Sequence, residues 1–235
     1  MTEKCNRILQ MVMAGILLVS MFLVAREGAV YVSSMQIKNK EKICVVIDAG
    51  HGGADPGKVG VNNQLEKDIN LKIAMLLKQF LQTEGIEVVM TREGEDGLYE
   101  EGASNKKVQD MKRRLEIIET SGAELVVSIH QNSYHEEYVK GAQVFYYATS
   151  EKSKLLAQTL QEQLKELDPD NKREAKGNDS YFLLKKTSKP IVIVECGFLS
   201  NQEEAAKLSD EVYQEKLAFH IHMGIMKYLN MKKKA

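Results

Sequence analysis

The chain has 235 residues and a formal net charge of −1, with 43% hydrophobic and 28% charged residues. This composition is typical of a globular protein with one domain of ordinary size and an additional segment. It has no excess of lysine and arginine to neutralise phosphates, so we expect no nucleic acid partner, and three scattered cysteines exclude a disulfide framework or a CxxC zinc cage.

The first predicted element is an apolar segment from Ile8 to Ala25, eighteen residues without a charge. This length is about enough to cross a bilayer as a helix, and the basic residues before it predict a translocated remainder. We assign residues 1–26 to a signal-anchor, with a cleaved signal peptide as the alternative. Residues 27–42 are expected to form a linker, and the folded part is expected outside the cytoplasm, either membrane-anchored or secreted.

From about residue 43 onward, short β-branched runs alternate with longer segments of helical spacing. Strands are predicted at 43–48, 86–90, 125–129, 142–147 and 191–194, and helices at 65–81, 109–120, 152–167 and 211–229. This alternation predicts an α/β fold, a three-layer α/β/α domain with a mostly parallel sheet of about six strands. We place the single catalytic domain at 43–230 and a basic tail at 231–235.

Three of the buried runs lead to a residue with acid–base or metal-binding chemistry: His51 follows VVID, His130 follows LVVSI and Glu195 follows IVIV. The carboxyl ends of parallel strands share one edge of a sheet, and ligands bind in the crevice there. Glu66 precedes a helix that must pack back beside the first strand. The sequence therefore predicts that these four side chains converge.

Two imidazoles and one carboxylate are an established ligand set for catalytic zinc, which keeps a further position for water. We therefore predict that His51, Glu66 and His130 bind zinc. Zinc lowers the pKa of that water to about 7, and a glutamate nearby can take its proton and pass it to a leaving amine. Glu195 is assigned as this general acid/base.

The glycines beside the first histidine, Gly50, Gly52 and Gly53, are expected to let the backbone turn sharply. They are also expected to leave room beside the metal for a bulky substrate. Asp48 and Asp55 in the same stretch are interpreted as loop-shaping residues rather than as metal ligands.

The ordered motifs resemble those of the zinc-dependent N-acetylmuramoyl-L-alanine amidases of the amidase-3 type. They are VVIDAGHGGADPG at 45–57, LEKDINL at 65–71, VVSIHQN at 126–132 and PIVIVECGFLSN at 190–201. The resemblance covers nearly all of the chain from Ile43 to Leu229. It implies an α/β/α fold and hydrolysis of the amide between the lactyl group of N-acetylmuramic acid and L-alanine of the stem peptide, with peptidoglycan as the substrate.

Carried over residue by residue, the resemblance implies the same three zinc ligands and the same catalytic glutamate. It also implies a substrate contact by Asn132 and a structural role for Arg114. Between Tyr147 and Leu183 the sequence predicts one helix and a loop, without the helical insertion that plugs the metal site in division-associated relatives. This minimal architecture is most similar to the germination-specific spore-cortex amidases, which prepare muramic-δ-lactam formation.

Three alternatives stay open at this point. The chain could act as a zinc amidase of vegetative wall turnover, as a zinc peptidase or deacetylase with the same metal set, or as an inactive wall-binding protein. The presence of all three ligands and the general base argues against the last. The partners expected are peptidoglycan and, through an uncleaved N-terminal segment, the membrane; the need for an accessory protein and the oligomeric state are left open.

Overall fold

The computed structural model describes residues 2–38 and 43–232. The described chain forms two units, an N-terminal helix and a compact α/β unit that starts at Ile43. Helix α1 spans Thr2–Lys38, and its stretch Met11–Gly28 is long and apolar enough to cross a membrane by length and composition. The side chains of this stretch are exposed within the structure.

The predicted linker is only partly described. Residues 27–38 continue helix α1, while residues 39–42 lie outside the described residues. At the other end of the chain, Lys232 is the last residue of the final helix, and residues 233–235 of the predicted basic tail also lie outside the described part.

Within residues 43–232 the chain forms six strands and six helices. The strands are β1 (Cys44–Ala49), β2 (Glu87–Met90), β3 (Leu125–Asn132), β4 (Gln143–Tyr147), β5 (Lys176–Asn178) and β6 (Ile191–Phe198). The helices are α2 (Glu66–Thr83), α3 (Lys106–Thr120), α4 (Glu151–Leu167), α5 (Phe182–Lys186), α6 (Gln202–Ser209) and α7 (Glu211–Lys232). The predicted elements are confirmed, most of them with small shifts at their ends, and the three short elements β5, α5 and α6 are additional.

The strands form one sheet in the order β2-β1-β3-β6-β4-β5. Strands β2, β1, β3 and β6 run parallel, whereas β4 pairs antiparallel with β6 and parallel with β5. The mostly parallel sheet of six strands is therefore confirmed. Its central strands are buried on both faces, which explains why they read as continuous apolar runs.

Alternate residues of each strand contribute to two separate cores. Val45 and Ile47 of β1 pack in the core covered by α2, α4 and α7, while Cys44 and Val46 point to the opposite face, covered by α3 and α5. Helices on both faces of the sheet confirm the three-layer α/β/α architecture.

Two of the predicted strand ends are wrong by several residues. Strand β3 continues to Asn132 and β6 to Phe198, so that His130 and Glu195 lie within strands and face each other in the parallel register. The strands extend beyond their apolar runs because each is a central strand whose neighbours continue the backbone hydrogen bonding. The two residues are thus held by the sheet itself rather than by flexible loops.

A buried polar cluster ties the sheet edge to helix α3. The Asp48 carboxylate, at the end of β1, accepts hydrogen bonds from Thr91 Oγ1 at 2.7 Å, Ser128 Oγ at 2.5 Å and Arg114 Nη1 at 2.6 Å. Burial alone would raise the pKa of Asp48, but Arg114 and the hydroxyl groups lower it to about 2. Asp48 thus joins several elements rather than shaping a loop.

Replacement of Asp48 by asparagine is expected to reduce stability in a pH-dependent way. At pH 7, Asp48→Asn should lower the free energy of unfolding by about 2–3 kcal/mol, because it removes one of the two carboxylates that pair with the buried Arg114. A carboxyl group whose pKa is lowered by folding stabilises the protein above its ordinary pKa of 3.8, and this contribution is lost as the pH falls towards about 2. The difference between the two proteins should therefore narrow by about 1 kcal/mol at pH 3.

Urea unfolding followed by tyrosine fluorescence at several pH values between 7 and 3 measures this dependence. A difference in free energy of unfolding that stays constant over this range would contradict the lowered pKa of Asp48.

Candidate metal centre

Three side chains from distant parts of the chain meet at the carboxyl edge of the sheet. Glu66 Oε1 lies 3.1 Å from His51 Nε2 and 3.0 Å from His130 Nδ1, and these three atoms all lie within 4.8 Å of one another. Glu66 is buried and the two histidines are partly buried. The predicted convergence of these residues is confirmed.

Each of the three comes from a different kind of element. His51 lies in the loop after β1, Glu66 is the first residue of α2, and His130 lies in β3. The backbone of His51 has a φ of +62°, in the left-handed region that is unfavourable for residues other than glycine. Such a conformation persists only where its surroundings hold it.

Arg114 of helix α3 provides that support. Its guanidinium donates hydrogen bonds to the backbone oxygens of Ala49 at 2.7 Å and His51 at 2.5 Å, in addition to the Asp48 carboxylate. Burial lowers the pKa of this arginine, but Asp48 and Asp110 raise it overall, so the group is a permanent cation. These contacts agree with the structural role that the family resemblance implied for Arg114.

Several glycines of this loop lie so close to other side chains that a Cβ atom would collide with them. A Cβ atom on Gly50 would lie 2.3 Å from Cε1 of His130, and one on Gly53 would lie 2.2 Å from the hydroxyl oxygen of Tyr99. Gly57, with a φ of +69°, would place a Cβ atom 2.5 Å from Glu66 Oε2. A larger side chain at these positions would therefore displace groups of the site. Gly50 and Gly52 also line the cavity at this edge of the sheet, and the expectation that they leave room for a bulky substrate stays a prediction.

Glu66 is surrounded by hydrogen-bond donors. Its Oε2 accepts from the backbone N–H of Lys58 at 2.8 Å, and its Oε1 accepts from the backbone N–H of Gln131 at 3.1 Å and from Asn70 Nδ2 at 3.4 Å. Burial raises the pKa of Glu66, but the hydrogen bonds to both histidines lower it well below its usual range. Glu66 is therefore an ionised carboxylate at neutral pH, as a metal ligand must be.

Glu195 lies beside this cluster in a different environment. The carboxyl group is buried on β6, and its Oε2 has no hydrogen-bond partner among the described residues. Burial raises its pKa to about 7, because the cost of desolvating the carboxylate, together with the repulsion from Glu66, exceeds the lowering by His130, His51 and Tyr181. A carboxyl group with this pKa can both accept and release a proton at neutral pH.

A cavity of about 270 Å³ opens over these groups. His51, His130 and Glu195 line it, together with side chains that the sequence did not single out, among them Tyr99 and Tyr181. Burial and the nearby Glu195 raise the pKa of Tyr181 to about 12, so its phenol keeps its proton. Little in the sequence indicated that Tyr181 lies in the cavity, because this residue follows a polar stretch that is typical of a loop.

Asn132 lies near the end of β3, outside the lining of the cavity. Its Oδ1 accepts a hydrogen bond from the adjacent backbone N–H of Ser133 at 2.8 Å, and Asn132 is not among the residues that line the cavity. A substrate contact by Asn132 stays a prediction.

The chain is similar to known amidases over most of its length. The family described as N-acetylmuramoyl-L-alanine amidase matches residues 45–227 of the chain. The germination-specific N-acetylmuramoyl-L-alanine amidase of Bacillus subtilis (strain 168) is 38% identical over 191 residues, which cover 80% of this chain and 80% of that protein.

Solved structures with the same fold are also amidases. The CwlD amidase from Clostridioides difficile, in complex with the GerS lipoprotein, is 42% identical with a TM-score of 0.79, and the match covers 81% of this chain and 100% of that chain. The catalytic domain of the amidase CwlV from Bacillus (Paenibacillus) polymyxa var. colistinus is 32% identical with a TM-score of 0.70, and the match covers 80% of this chain and 98% of that chain.

The close approach of Gly50 to His130 gives a test of the centre. In Gly50→Ala the new methyl group must displace the His130 ring, and overpacking of this kind costs about 1–3 kcal/mol. The displaced ring would no longer hold its nitrogen beside Glu66, and about 1.4 kcal/mol corresponds to a factor of ten in affinity, so we expect the affinity for added zinc to fall about 5- to 100-fold. Competition with a chromogenic chelator measures this affinity.

Gly94→Ala is the matched control, since a Cβ atom on Gly94 meets no atom within 4 Å. It should bind zinc like the unchanged protein. Equal zinc affinities for both variants would show that the His130 ring does not have to stay where the structure places it.

Proposed function

The chain belongs to the N-acetylmuramoyl-L-alanine amidase family, and on that premise we propose that it is a zinc-dependent amidase of the spore cortex. The reaction is hydrolysis of the amide between the lactyl group of N-acetylmuramic acid and L-alanine of the peptidoglycan stem peptide. The observation that carries the zinc-dependent mechanism is the meeting of Glu66 with two histidine rings beside the buried Glu195.

The donor set fits zinc. His51 would bind through Nε2, His130 through Nδ1 and Glu66 through Oε1, because these are the atoms that face one another. Two imidazole nitrogens and one carboxylate oxygen are characteristic of catalytic rather than structural zinc sites. When bound, zinc supplies Lewis acidity towards water and carbonyl oxygens.

Glu195 supplies the proton transfers. Its carboxylate accepts a proton from the attacking water at Oε2, which has no competing hydrogen bond among the described residues. The same oxygen then gives this proton to the nitrogen of L-alanine as the C–N bond breaks. The products are a free α-amine and the lactyl carboxylic acid, which keeps the second proton of the water until it ionises. The pKa of about 7 suits both steps, because neither direction of transfer is strongly unfavourable.

The place of action is proposed from the relatives and from helix α1. Similarity to the germination-specific amidase of Bacillus subtilis supports action on the spore cortex. The apolar stretch Met11–Gly28 supports translocation, with the catalytic unit anchored to the membrane or secreted on its outer side. The complex of CwlD with the GerS lipoprotein supports an accessory protein as a partner of this chain as well.

The role of Glu195 is tested by its isosteric replacement. We expect Glu195→Gln to keep its fold and its zinc but to lose about 10²–10⁴-fold in turnover, because the amide can neither accept nor deliver the proton. Mass analysis of muropeptides and labelling of new L-alanine N-termini on purified peptidoglycan measure turnover, and zinc content is measured on the same sample.

His135→Ala is a suitable control, because this histidine is exposed and is not among the residues that line the cavity. Its turnover should equal that of the unchanged protein. Near-normal turnover by Glu195→Gln would remove Glu195 from the mechanism.

The choice of cortex over vegetative wall needs a separate comparison. We expect initial rates on purified cortex peptidoglycan to exceed those on vegetative sacculi from the same organism, with released L-alanine amines as the readout. Higher rates on vegetative sacculi would favour a role in vegetative wall turnover and would leave the zinc mechanism intact.

A further inference from the structure

We propose that Asp55 is a positioning residue that orients His51 for metal binding and selects the tautomer of its ring. This inference rests on the proposed zinc site. It assigns to Asp55 a role beyond the loop-shaping one that the sequence suggested.

The two ring nitrogens of His51 face different carboxylates. Nε2 lies 3.1 Å from Glu66 Oε1, and Nδ1 lies 3.1 Å from Asp55 Oδ2. Nδ1 is buried, and within residues 43–232 it has no hydrogen-bond partner other than the nearby Asp55 carboxylate. Asp55 is thus the acceptor within reach of an otherwise unpartnered nitrogen.

Metal binding through Nε2 makes this acceptor necessary. A neutral imidazole carries one N–H, and a metal on Nε2 requires the lone pair there, so the proton must lie on Nδ1. Without the metal, the proton can instead lie on Nε2, facing the Glu66 carboxylate. A negative charge 3.1 Å from Nδ1 favours the tautomer that binds metal.

The loop holds the Asp55 carboxylate in place. Gly52 and Asp55 exchange two backbone hydrogen bonds, of 3.0 and 3.1 Å, which turn the chain back towards His51. Oδ1 of Asp55 accepts the backbone N–H of Gly57 at 3.1 Å, while Oδ2 is directed to His51 and lies 3.8 Å from Lys107 Nζ. The two oxygens therefore have separate tasks, one in the turn and one at the histidine.

This division of tasks makes asparagine the informative substitution. In Asp55→Asn the side-chain oxygen can keep the hydrogen bond from Gly57, so that the turn is retained. The amide NH₂ then faces His51 Nδ1 and donates to it, which favours the proton on Nε2 and blocks the metal-binding lone pair. A residue that only shapes the loop would tolerate this change.

The test is the zinc affinity of the full chain in detergent, measured by competition with a chromogenic chelator. We expect Asp55→Asn to weaken zinc binding by about 10–100-fold, as is typical for the loss of an outer carboxylate partner of a ligating histidine. His51→Ala serves as the reference for a lost ligand and should bind zinc more weakly still. Asp96→Asn makes the same change in charge at an exposed position of a neighbouring loop and should leave the affinity unchanged.

Two further results complete the test. Urea unfolding of the metal-free proteins should give Asp55→Asn the same stability as the unchanged protein, because the turn is kept. Zinc affinity of Asp55→Asn within threefold of the unchanged protein, while His51→Ala loses binding, would overturn the proposal. Failure of the unchanged protein to bind zinc would instead refute the proposed zinc site, so the two failures are distinguishable.

Discussion

The site depends on one buried carboxylate placed between two imidazole rings. An isolated carboxylate is costly to bury, and Glu66 is stable at the sheet edge because backbone amides, the N-terminus of α2 and both histidine rings surround it. The loop between β1 and α2 must therefore return to the edge of the sheet. The same loop carries His51, so that the condition for burying Glu66 also assembles the metal centre.

Arg114 connects this site to the core of the protein. It pairs with the buried Asp48 at the end of β1, and it holds the backbone oxygen of His51, whose φ of +62° is unfavourable. A local strain at the ligand is thus stabilised by an ion pair that also joins helix α3 to the sheet. The Arg114 side chain therefore contributes both to the stability of the fold and to the position of His51 in the metal centre.

Two glutamates a short distance apart have opposite properties because their surroundings differ. Glu66 accepts several hydrogen bonds and its pKa is lowered, whereas Glu195 is buried with an oxygen that has no partner among the described groups, and its pKa is raised to about 7. A pair of titratable groups whose pKa values are driven apart is the usual basis for separate roles in catalysis. The ionised Glu66 suits the binding of a cation, whereas Glu195, whose pKa is close to neutral pH, suits proton transfer.

Much of this could be predicted from the sequence, because its patterns are local. Apolar runs alternating with helical spacing determined the α/β class, and polar residues after those runs indicated a shared edge, since parallel strands align their carboxyl ends. The ordered motifs identified the family. Short elements such as β5 and α5 were missed because three to five residues carry too little periodicity to be recognised.

The tertiary structure alone decided how the side chains are used. It showed that Gly50 lies against the His130 ring, a contact between residues 80 positions apart in the sequence. It also placed Asp55 Oδ2 beside His51 Nδ1, and it placed Tyr181 in the same cavity as Glu195. The positions of these residues in the sequence do not indicate either arrangement. The sequence determined which chemical groups are present and on which elements they lie, whereas distances, burial and pKa values depend on packing between elements and so appear only in the folded protein.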